Sequence, residues 1–259
     1  MGTMTEPTLK YGINYSVCVT TFNQRFEYLK NLVTKIKEQR EEVQLIVLAN
    51  GLTNLPFDEK YRNELLDFIS PLKNTFPIVF PEFRGLAKIW NIGCQLASNN
   101  NVLVMNDDID IGNDFFDDYE SCILKYPNDC FSINNNFCGF HVNKTILDKL
   151  NWFDERFLSI GSEDLWFIQC HNAVMGYYPI SLEIKSYYNK FELKWQKELV
   201  DNEVRMLNQN HKGERYSPFN YEVFKYMLEG RNIFDREEYP PYVKQYPHEQ
   251  FFQEYKNKY

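Results

Sequence analysis

Acidic side chains directly follow the apolar run 102–105. Three carboxylates stand within four positions there: Asp107, Asp108 and Asp110. Carboxylates this close repel one another unless water or a cation neutralises them, and oxygen ligands suit a hard divalent cation. The position favours a metal site, because a buried strand would hold Asp107 and Asp108 rigidly at a cleft. The alternative is an acidic helix start that the helix dipole stabilises, with Asn113 or Asp114 as its cap.

A second acidic pair, Glu163 and Asp164, stands at the predicted start of a helix. Gly161 permits an unusual backbone angle just before it, and Ser162 can cap the helix. A carboxylate held there can act as a general base toward a sugar hydroxyl. The alternative is that both residues merely decorate the first helical turn. Aromatic neighbours favour the first hypothesis, since aromatic faces bury the apolar faces of sugar rings. These neighbours are Trp152, Phe153, Phe157 and Trp166.

Two further polar sets could hold a nucleotide. Arg84 and Lys88, together with backbone N–H groups at the start of the helix they occupy, can bind a diphosphate. The alternative for them is a solvated basic edge. The segment 20–25 offers polar groups for a nucleoside: Thr20, Thr21, Asn23 and Arg25. The alternative for that segment is helix capping by Asn23.

Length and composition narrow the class of protein. The 259 residues suit one domain with an appendage. A net charge of −8 argues against a chain that coats phosphate backbones, so we expect no nucleic-acid partner. Six cysteines without a C-x-x-C pair indicate reduced, mostly buried thiols rather than a zinc site. The aromatic content of 17% exceeds what the core needs, so some rings should line clefts or interfaces.

The apolar runs are of strand length, far below the roughly 20 residues that a transmembrane helix needs. The first ten residues are polar and lack the basic and apolar regions of a signal peptide. We therefore expect no transmembrane segment and a cytoplasmic protein. Residues 1–12 are expected to form a disordered or vector-derived start.

Short β-branched runs alternate with stretches of helical periodicity from residue 15 onward, which predicts a mostly parallel α/β sheet flanked by helices. Predicted strands cover 15–21, 43–49, 76–80, 101–105, 130–132, 137–142 and 178–184. Predicted helices cover 25–40, 59–69, 86–97, 115–126 and 163–175. Ligands bind beyond the carboxyl ends of the strands in such sheets, and two of the polar sets follow predicted strands.

The sequence pattern changes near residue 190, where the β-branched runs stop and charged and aromatic stretches of helical periodicity begin. We predict a sheet domain over 13–189 and a helical, aromatic-rich C-terminal extension over 190–259. Helices are expected there at 191–209, 219–228 and 247–255. The rings of this extension either pack back onto the sheet domain as ordinary core, or form a homodimer interface or the wall of a binding site.

Taken in order, segments between residues 15 and 188 resemble the GT-A fold and, within it, the inverting family 2 glycosyltransferases. They are 20–25 for a T-x-x-R-like turn, 49–52 for D-N-G-S, 87–93 for A-x-x-x-N-x-G, Asn106-Asp107-Asp108 for D-x-D, 153–157 for F-D-E-x-F and 161–164 for a downstream E-D. The order and spacing of these fragments make the resemblance specific.

This resemblance implies transfer of one sugar, a hexose or a pentose, from a nucleotide-diphosphate sugar to a hydroxyl of a glycan or glycoconjugate. Asp108, assisted by Asp107, would coordinate Mn²⁺ or Mg²⁺ that bridges the two phosphates. Asp164 would deprotonate the acceptor hydroxyl for in-line attack with inversion. Acceptor binding would fall to Glu163, Trp152 and Trp166.

The same motifs imply a donor site, in which 13–189 is the nucleotide-sugar-binding and catalytic domain. Its residues would be Thr20, Thr21, Asn23, Arg25, Asn50, Arg84, Lys88, Asn91, Asp107 and Gly139. Two positions depart from the family pattern. Ala49 stands where an aspartate usually reads the base, so Asn50 or Thr20 would make that contact. The segment 186–189 has no histidine where many GT-A enzymes supply a late metal ligand, so Asp108, phosphates and water would hold the metal.

Three other functions compete with this one. The run 108–111 after an apolar strand also looks like the D-x-D-x-[TV] loop of the haloacid dehalogenase class, in which the first aspartate attacks phosphate. That loop normally follows the first strand, whereas three predicted strands precede this one. A nucleotidyltransferase would need a glycine-rich basic loop near the start of the chain. A noncatalytic sugar-nucleotide or glycan binder would tolerate loss of the Asp164 carboxylate.

Overall fold

The computed structural model describes residues 12–22, 26–51, 57–158, 161–189 and 218–233. Asn23 and Arg25 lie outside the described residues, as do the predicted N-terminal start and the predicted helices at 191–209 and 247–255. The statements below concern the described ranges.

Four parallel strands form one half of the main sheet, in the spatial order β3-β2-β1-β4. They are β1 (Tyr15–Phe22), β2 (Gln44–Asn50), β3 (Thr75–Val79) and β4 (Asn101–Asn106). The connecting helices are α1 (Phe26–Gln39), α2 (Glu59–Ile69) and α3 (Leu86–Leu96). Helices cover both faces of this half, which is why its central strands are almost continuous apolar runs. The register pairs Thr20 of β1 with Asn106 of β4, so the polar residues after these strands meet at one edge.

The other half of the sheet is mixed, and the full order is β3-β2-β1-β4-β7-β6-β8. Its strands are β6 (Phe131–Ile133), β7 (Asn136–Asn143), which runs antiparallel to β4, and β8 (Ile180–Leu182). A separate antiparallel pair joins β5 (Ile109–Ile111) to β9 (Tyr187–Asn189). The remaining helices in the described ranges are α4 (Phe115–Lys125), α5 (Lys144–Leu150), α6 (Glu163–Met175) and α7 (Pro218–Leu228).

Two apolar cores lie on opposite faces of the sheet. Residues of α1, α2 and α4 pack on one face, and residues of α3, α5 and α6 pack on the other. Many of the aromatic residues serve these cores. The largest fully buried side chains are Trp90, Tyr15, Tyr119, Phe115, Phe116, Phe131, Phe140 and Phe157. Much of the aromatic content that stood out in the sequence is therefore ordinary core.

Helix α7 belongs to the C-terminal extension and packs on the segment before α6. A third apolar cluster joins Phe157 and Leu158 of that segment to Val223 and Met227 of α7, with Ile233 beside them. The predicted helix at 219–228 is confirmed. Within the described ranges, this part of the extension packs back onto the sheet domain.

The strands and helices predicted within the described ranges all agree with the structure to within about two residues at their ends. The sequence did not predict β5, β9 or α5. The two strands are three residues each, and β5 lies inside the acidic stretch, so neither shows a periodicity. No helix in the described ranges combines the length and the apolar character needed to cross a bilayer.

Candidate active site

Hydrogen bonds connect the carboxyl ends of β1 and β4. The Thr21 hydroxyl donates to Asp107 Oδ2 at 2.5 Å, and the Thr20 hydroxyl donates to Asn106 Oδ1 at 2.9 Å. The Asp107 backbone N–H donates to the Thr20 carbonyl at 3.0 Å. Asp107 is completely buried, so its carboxylate is held in a fixed position. The predicted nucleoside-binding threonines and the predicted metal ligand therefore form one connected group.

Asp108 follows at the turn after β4 and is only 3% exposed. Its charge acts on Tyr187, whose pKa is raised well above the usual value by burial, then by Cys138 and then by Asp108. Tyr187 also packs directly on Gly139, where a Cβ atom would lie 2.6 Å from the ring carbon Cε2. Gly139 is thus required for close packing of β7 on the strand that carries Tyr187. This ring was not singled out in the sequence, because nothing local in β9 marks it.

Asp110 is separated from this group by its hydrogen bonds. Its Oδ1 accepts from Asn31 Nδ2 at 3.0 Å and from the ammonium of Lys35, both on α1. The third carboxylate of the acidic cluster is therefore neutralised by α1, and it stabilises the packing of β5 on that helix.

The other two carboxylates of the acidic cluster, at the end of β4, have the chemistry to coordinate a divalent cation. Asp107 and Asp108 are both buried at a rigid strand end and supply hard oxygen donors. The described part of the chain brings no cluster of three His, Cys, Asp or Glu side chains together. A cation of the Mn²⁺ or Mg²⁺ kind fits here when phosphate and water oxygens complete its shell.

Asn50 and Arg84 are joined through the backbone of Arg84. The Asn50 amide donates to the Arg84 carbonyl at 2.8 Å, and Asn50 Oδ1 accepts from the Arg84 N–H at 2.9 Å. Asn50 is buried, so both polar ends of its side chain are occupied within the protein. The Arg84 guanidinium lies 3.1 Å from Glu82. Asn50 therefore orients the segment that carries Arg84 and leads into α3.

Asn91 makes a similar bridge from α3 to the segment before α6. Its Nδ2 donates to the Phe153 carbonyl at 2.8 Å and to Glu155 Oε1 at 3.0 Å, and its Oδ1 accepts from the Phe153 N–H at 3.0 Å. Lys88, one turn earlier on α3, lies 3.8 Å from Glu155. The A-x-x-x-N-x-G segment thus holds the F-D-E-x-F segment in place.

The Glu163–Asp164 pair opens α6 in a buried environment. Glu163 Oε2 accepts from the Gly161 N–H at 2.6 Å, and Asp164 Oδ1 accepts from the Leu165 N–H at 2.8 Å. Burial, followed by the neighbouring Asp164 charge, raises the pKa of Glu163 to about 8. Burial also raises the pKa of Asp164. Two adjacent carboxyls with raised pKa values are typical of a proton-transfer site.

The turn before this pair has an unusual backbone. Gly161 has a φ of 111° and Ser162 a φ of 69°, and both lie in the left-handed region. Ser162 occupies the N-cap position of α6, but its side chain makes no capping hydrogen bond. Asn220 of α7, which the sequence did not single out, donates from Nδ2 to the Gly161 carbonyl at 2.9 Å. No motif marks Asn220, because it lies in the extension that the family pattern does not cover.

The two predicted acceptor tryptophans occupy different surroundings. Trp152 has a φ of 66°, and its indole N–H donates to Asp148 at 3.0 Å. Trp166, one turn after Glu163, lines a cavity of about 700 Å³. The other residues around this cavity are Arg156, Tyr226, Met227, Gly230, Arg231 and Asn232. Trp166 thus lines an open cavity within the size range of small-molecule sites.

No protein-family model and no curated protein matches this sequence. Solved structures do match. The 1–349 fragment of S. aureus TarS is similar with a TM-score of 0.52 and 16% identity, over 90% of this chain and 77% of the fragment. This chain covers 44% of the longer TarS structure. The fragment has also been solved in complex with UDP-GlcNAc.

A mannosyltransferase from Pyrobaculum calidifontis, solved with GDP-Man and Mn²⁺, is similar with a TM-score of 0.54 and 14% identity. The match covers 66% of this chain and 55% of that enzyme. At these identities the likeness concerns the fold. The α/β class and the resemblance predicted from the motifs are confirmed at that level, and this chain has the GT-A glycosyltransferase fold.

Proposed function

We propose that this protein is a metal-dependent, inverting glycosyltransferase. It moves one sugar from a nucleotide-diphosphate sugar to a hydroxyl of a glycan or glycoconjugate. The observation that carries the proposal is the Glu163–Asp164 pair, with both pKa values raised at the start of α6. Hydrogen bonds of Asn91 join the segment before this pair to α3. Helix α3 begins after the carboxyl end of β3, and nucleotides bind at this edge of the sheet in the GT-A fold.

The donor half of the site consists of the ends of β1 and β4 and the start of α3. Thr20 and Thr21, at the end of β1, face the nucleoside, and the predicted nucleoside contacts of Asn23 and Arg25 lie outside the described residues. Arg84 and Lys88 contact the diphosphate, while Asn50 and Asn91 hold the segments that carry these contacts. Support for a nucleotide-sugar donor comes from two proteins of similar fold: the TarS fragment was solved with UDP-GlcNAc, and the mannosyltransferase was solved with GDP-Man.

Asp108 and Asp107 would hold Mn²⁺ or Mg²⁺ at the end of β4. When bound, such an ion neutralises the charge that develops on the departing diphosphate. Asp107 is fixed for this role by the Thr21 hydroxyl, at 2.5 Å. Gly139 leaves the space that Tyr187 needs beside Asp108.

Asp164 accepts the proton of the acceptor hydroxyl as its oxygen attacks the anomeric carbon. The bond from that carbon to the diphosphate oxygen breaks on the opposite face, so the configuration inverts. Glu163, with a pKa of about 8, is mostly protonated at neutral pH. A neutral Glu163 places no second negative charge beside Asp164 and can donate a hydrogen bond to an acceptor hydroxyl.

The acceptor approaches along the cavity beside Trp166. Its wall carries the Trp166 and Tyr226 rings, and the Arg231 guanidinium lies 4.2 Å above the Tyr226 ring. Aromatic faces and planar polar groups suit the apolar faces and hydroxyls of sugar rings. Trp152 is partly buried against the apolar core on the α3 side of the sheet, and it completes the predicted acceptor set. A homodimer through the C-terminal extension stays a prediction.

A panel of nucleotide sugars that includes UDP-GlcNAc and GDP-mannose tests the proposal, with Mn²⁺ and with EDTA. We expect at least one donor to raise Tm and to be hydrolysed slowly, in both cases only with the metal. Asp164→Asn should lower turnover by about 10²- to 10⁴-fold and leave donor-induced stabilisation intact, because proton transfer is lost while the donor site is preserved. Glu38→Gln, at an exposed position of α1 outside the proposed site, is the control.

Failure of every donor to stabilise the protein in the presence of metal would contradict the proposal as a whole. Full activity in Asp164→Asn with donor binding unchanged would contradict the assignment of the base alone. A phosphatase-like mechanism is disfavoured, because Asp110, which corresponds to the second aspartate of that loop, is held by Asn31 and Lys35 of α1.

A further inference from the structure

Asn220 is the one side chain of α7 that donates a hydrogen bond to the turn before α6 within the described ranges. It is completely buried, and its Nδ2 donates to the Gly161 carbonyl at 2.9 Å. The two residues are 59 positions apart in the chain. The apolar contacts of Val223 and Met227 with Phe157 and Leu158 fix the helix that carries Asn220. The amide is thus presented to Gly161 from a packed helix.

Gly161 transmits this contact directly to the carboxyl pair. Its carbonyl accepts from Asn220, and its own N–H donates to Glu163 Oε2 at 2.6 Å. The turn also holds two successive residues with positive φ, one of them the non-glycine Ser162. Such a backbone persists only where surrounding contacts hold it in place, and the Ser162 side chain supplies no capping bond. The contact from Asn220 is therefore well placed to hold the turn.

We propose that Asn220 is a positioning residue that fixes the Gly161–Ser162 turn and thereby sets the orientation of Glu163 and Asp164. The inference rests on the proposed function, because it assigns a task to the pair that performs proton transfer. It also gives the extension an indirect part in catalysis, since α7 supplies a contact on which the geometry of the site depends.

The chemistry of Asn220 supports a role beyond packing. Its Oδ1 is buried and has no hydrogen-bond partner among the described residues. A buried polar atom without a partner costs stability, and leucine of nearly the same shape would avoid that cost. The amide is thus explained by the hydrogen bond from Nδ2 to Gly161 and not by the stability of α7.

The test compares Asn220→Leu with Val223→Ala, which trims one of several apolar side chains that pack the same helix and keeps the Asn220 amide. Asn220→Leu should lower kcat by about 10- to 100-fold with the KM for the donor unchanged, because a shift of about 1 Å in a reacting group has an effect of this size. Its Tm should stay close to that of the wild type. Val223→Ala should lower Tm and keep kcat near the wild-type value at temperatures where it is folded.

A pH profile separates positioning from general loosening. The Gly161 N–H stabilises the charged form of Glu163, so a displaced turn raises the pKa of that carboxyl further above about 8. Asp164 is the charged group that acts on Glu163, and it is unchanged in both variants. We expect the alkaline limb of kcat to move to higher pH in Asn220→Leu and to stay in place in Val223→Ala.

The inference would be overturned if Asn220→Leu kept the wild-type kcat and the wild-type alkaline limb of the pH profile. It would also be overturned if the alkaline limb moved equally far in Val223→Ala. The dependence of Tm on pH gives a second readout that needs no turnover. Its alkaline decline should also move to higher pH in Asn220→Leu, and an unmoved decline would count against the inference. If the wild type uses no nucleotide sugar, the proposed function fails, whereas the Tm comparison still decides whether Asn220 holds the Glu163 turn.

Discussion

At the scale of single residues, two adjacent acids at the start of α6 acquire different properties from their surroundings. Glu163 is almost completely buried and accepts a hydrogen bond from the Gly161 N–H. Asp164 is more exposed and accepts a hydrogen bond from the Leu165 N–H. Burial and the Asp164 charge raise the pKa of Glu163 to about 8, so Glu163 is mostly protonated at neutral pH, and burial also raises the pKa of Asp164. A pair in this state can receive a proton on one carboxyl and donate a hydrogen bond from the other.

The raised pKa of Glu163 predicts how stability depends on pH. The value is about 8 in the folded protein and 4.5 for the free group, so the folded state binds this proton more tightly. The stabilising contribution is complete below about pH 4.5 and is lost as pH rises through 8. Glu163→Gln cannot ionise, so it should remove this part of the alkaline loss and raise Tm by several degrees at pH 9 relative to the wild type.

Thermal unfolding of both proteins between pH 5 and pH 9.5 measures this effect. Glu38→Gln, at an exposed position of α1, serves as the control and should follow the wild-type curve. Parallel curves for Glu163→Gln and the wild type would show that the Glu163 pKa is not raised in the folded protein. A more stable but less active Glu163→Gln would show that the carboxyl group of Glu163 is kept for function at a cost in stability.

At the scale of elements, two buried asparagines join segments that carry the proposed site. Asn50 connects the end of β2 to the start of the α3 segment, and Asn91 connects α3 to the segment before α6. Each amide satisfies both a backbone N–H and a backbone carbonyl of its partner segment. The two side chains therefore orient neighbouring elements, and their predicted part in donor binding stays a prediction.

Asn91→Ala should lower the free energy of unfolding by about 2–4 kcal/mol. The substitution leaves the N–H and the carbonyl of Phe153 without their partner in a buried place. Urea unfolding measures the loss, and Gln95→Ala, at an exposed position of the same helix, is the control that should change little. A cost below 1 kcal/mol for Asn91→Ala would mean that the bridge is not needed to hold α3 and the 153–155 segment together.

At the scale of the whole molecule, a buried ionic group connects the first strand, α1 and α4. Glu120 is fully buried and accepts from Arg40 Nε at 2.7 Å and from the Tyr15 hydroxyl at 2.9 Å. Arg40 also binds Asp117 at 2.6 Å. Burial, followed by the neighbouring Glu120, raises the pKa of Tyr15, which keeps its hydroxyl protonated as a donor. These contacts fix α4 against the sheet on the face opposite α3.

Arg40→Met should destabilise the domain by about 3–5 kcal/mol, because it leaves the Glu120 carboxylate buried without its cation. The double variant Arg40→Met with Glu120→Gln should recover most of that loss, since it removes both charges together. Urea denaturation of the two variants and the wild type measures the difference. Equal losses in the single and double variants would show that packing of the arginine side chain, and not its charge, carries the effect.

The sequence by itself determined the order of strands and helices from β1 to β4, the helix α4 that follows, and the place of the acidic residues after β4. These features depend on local periodicity, which burial imposes on each segment separately. Only the tertiary structure decided that Asp110 is neutralised by α1, that Asn50 and Asn91 bridge segments, and that Asn220 reaches Gly161. These contacts join residues 34 to 79 positions apart, and no local pattern encodes a hydrogen bond over that distance.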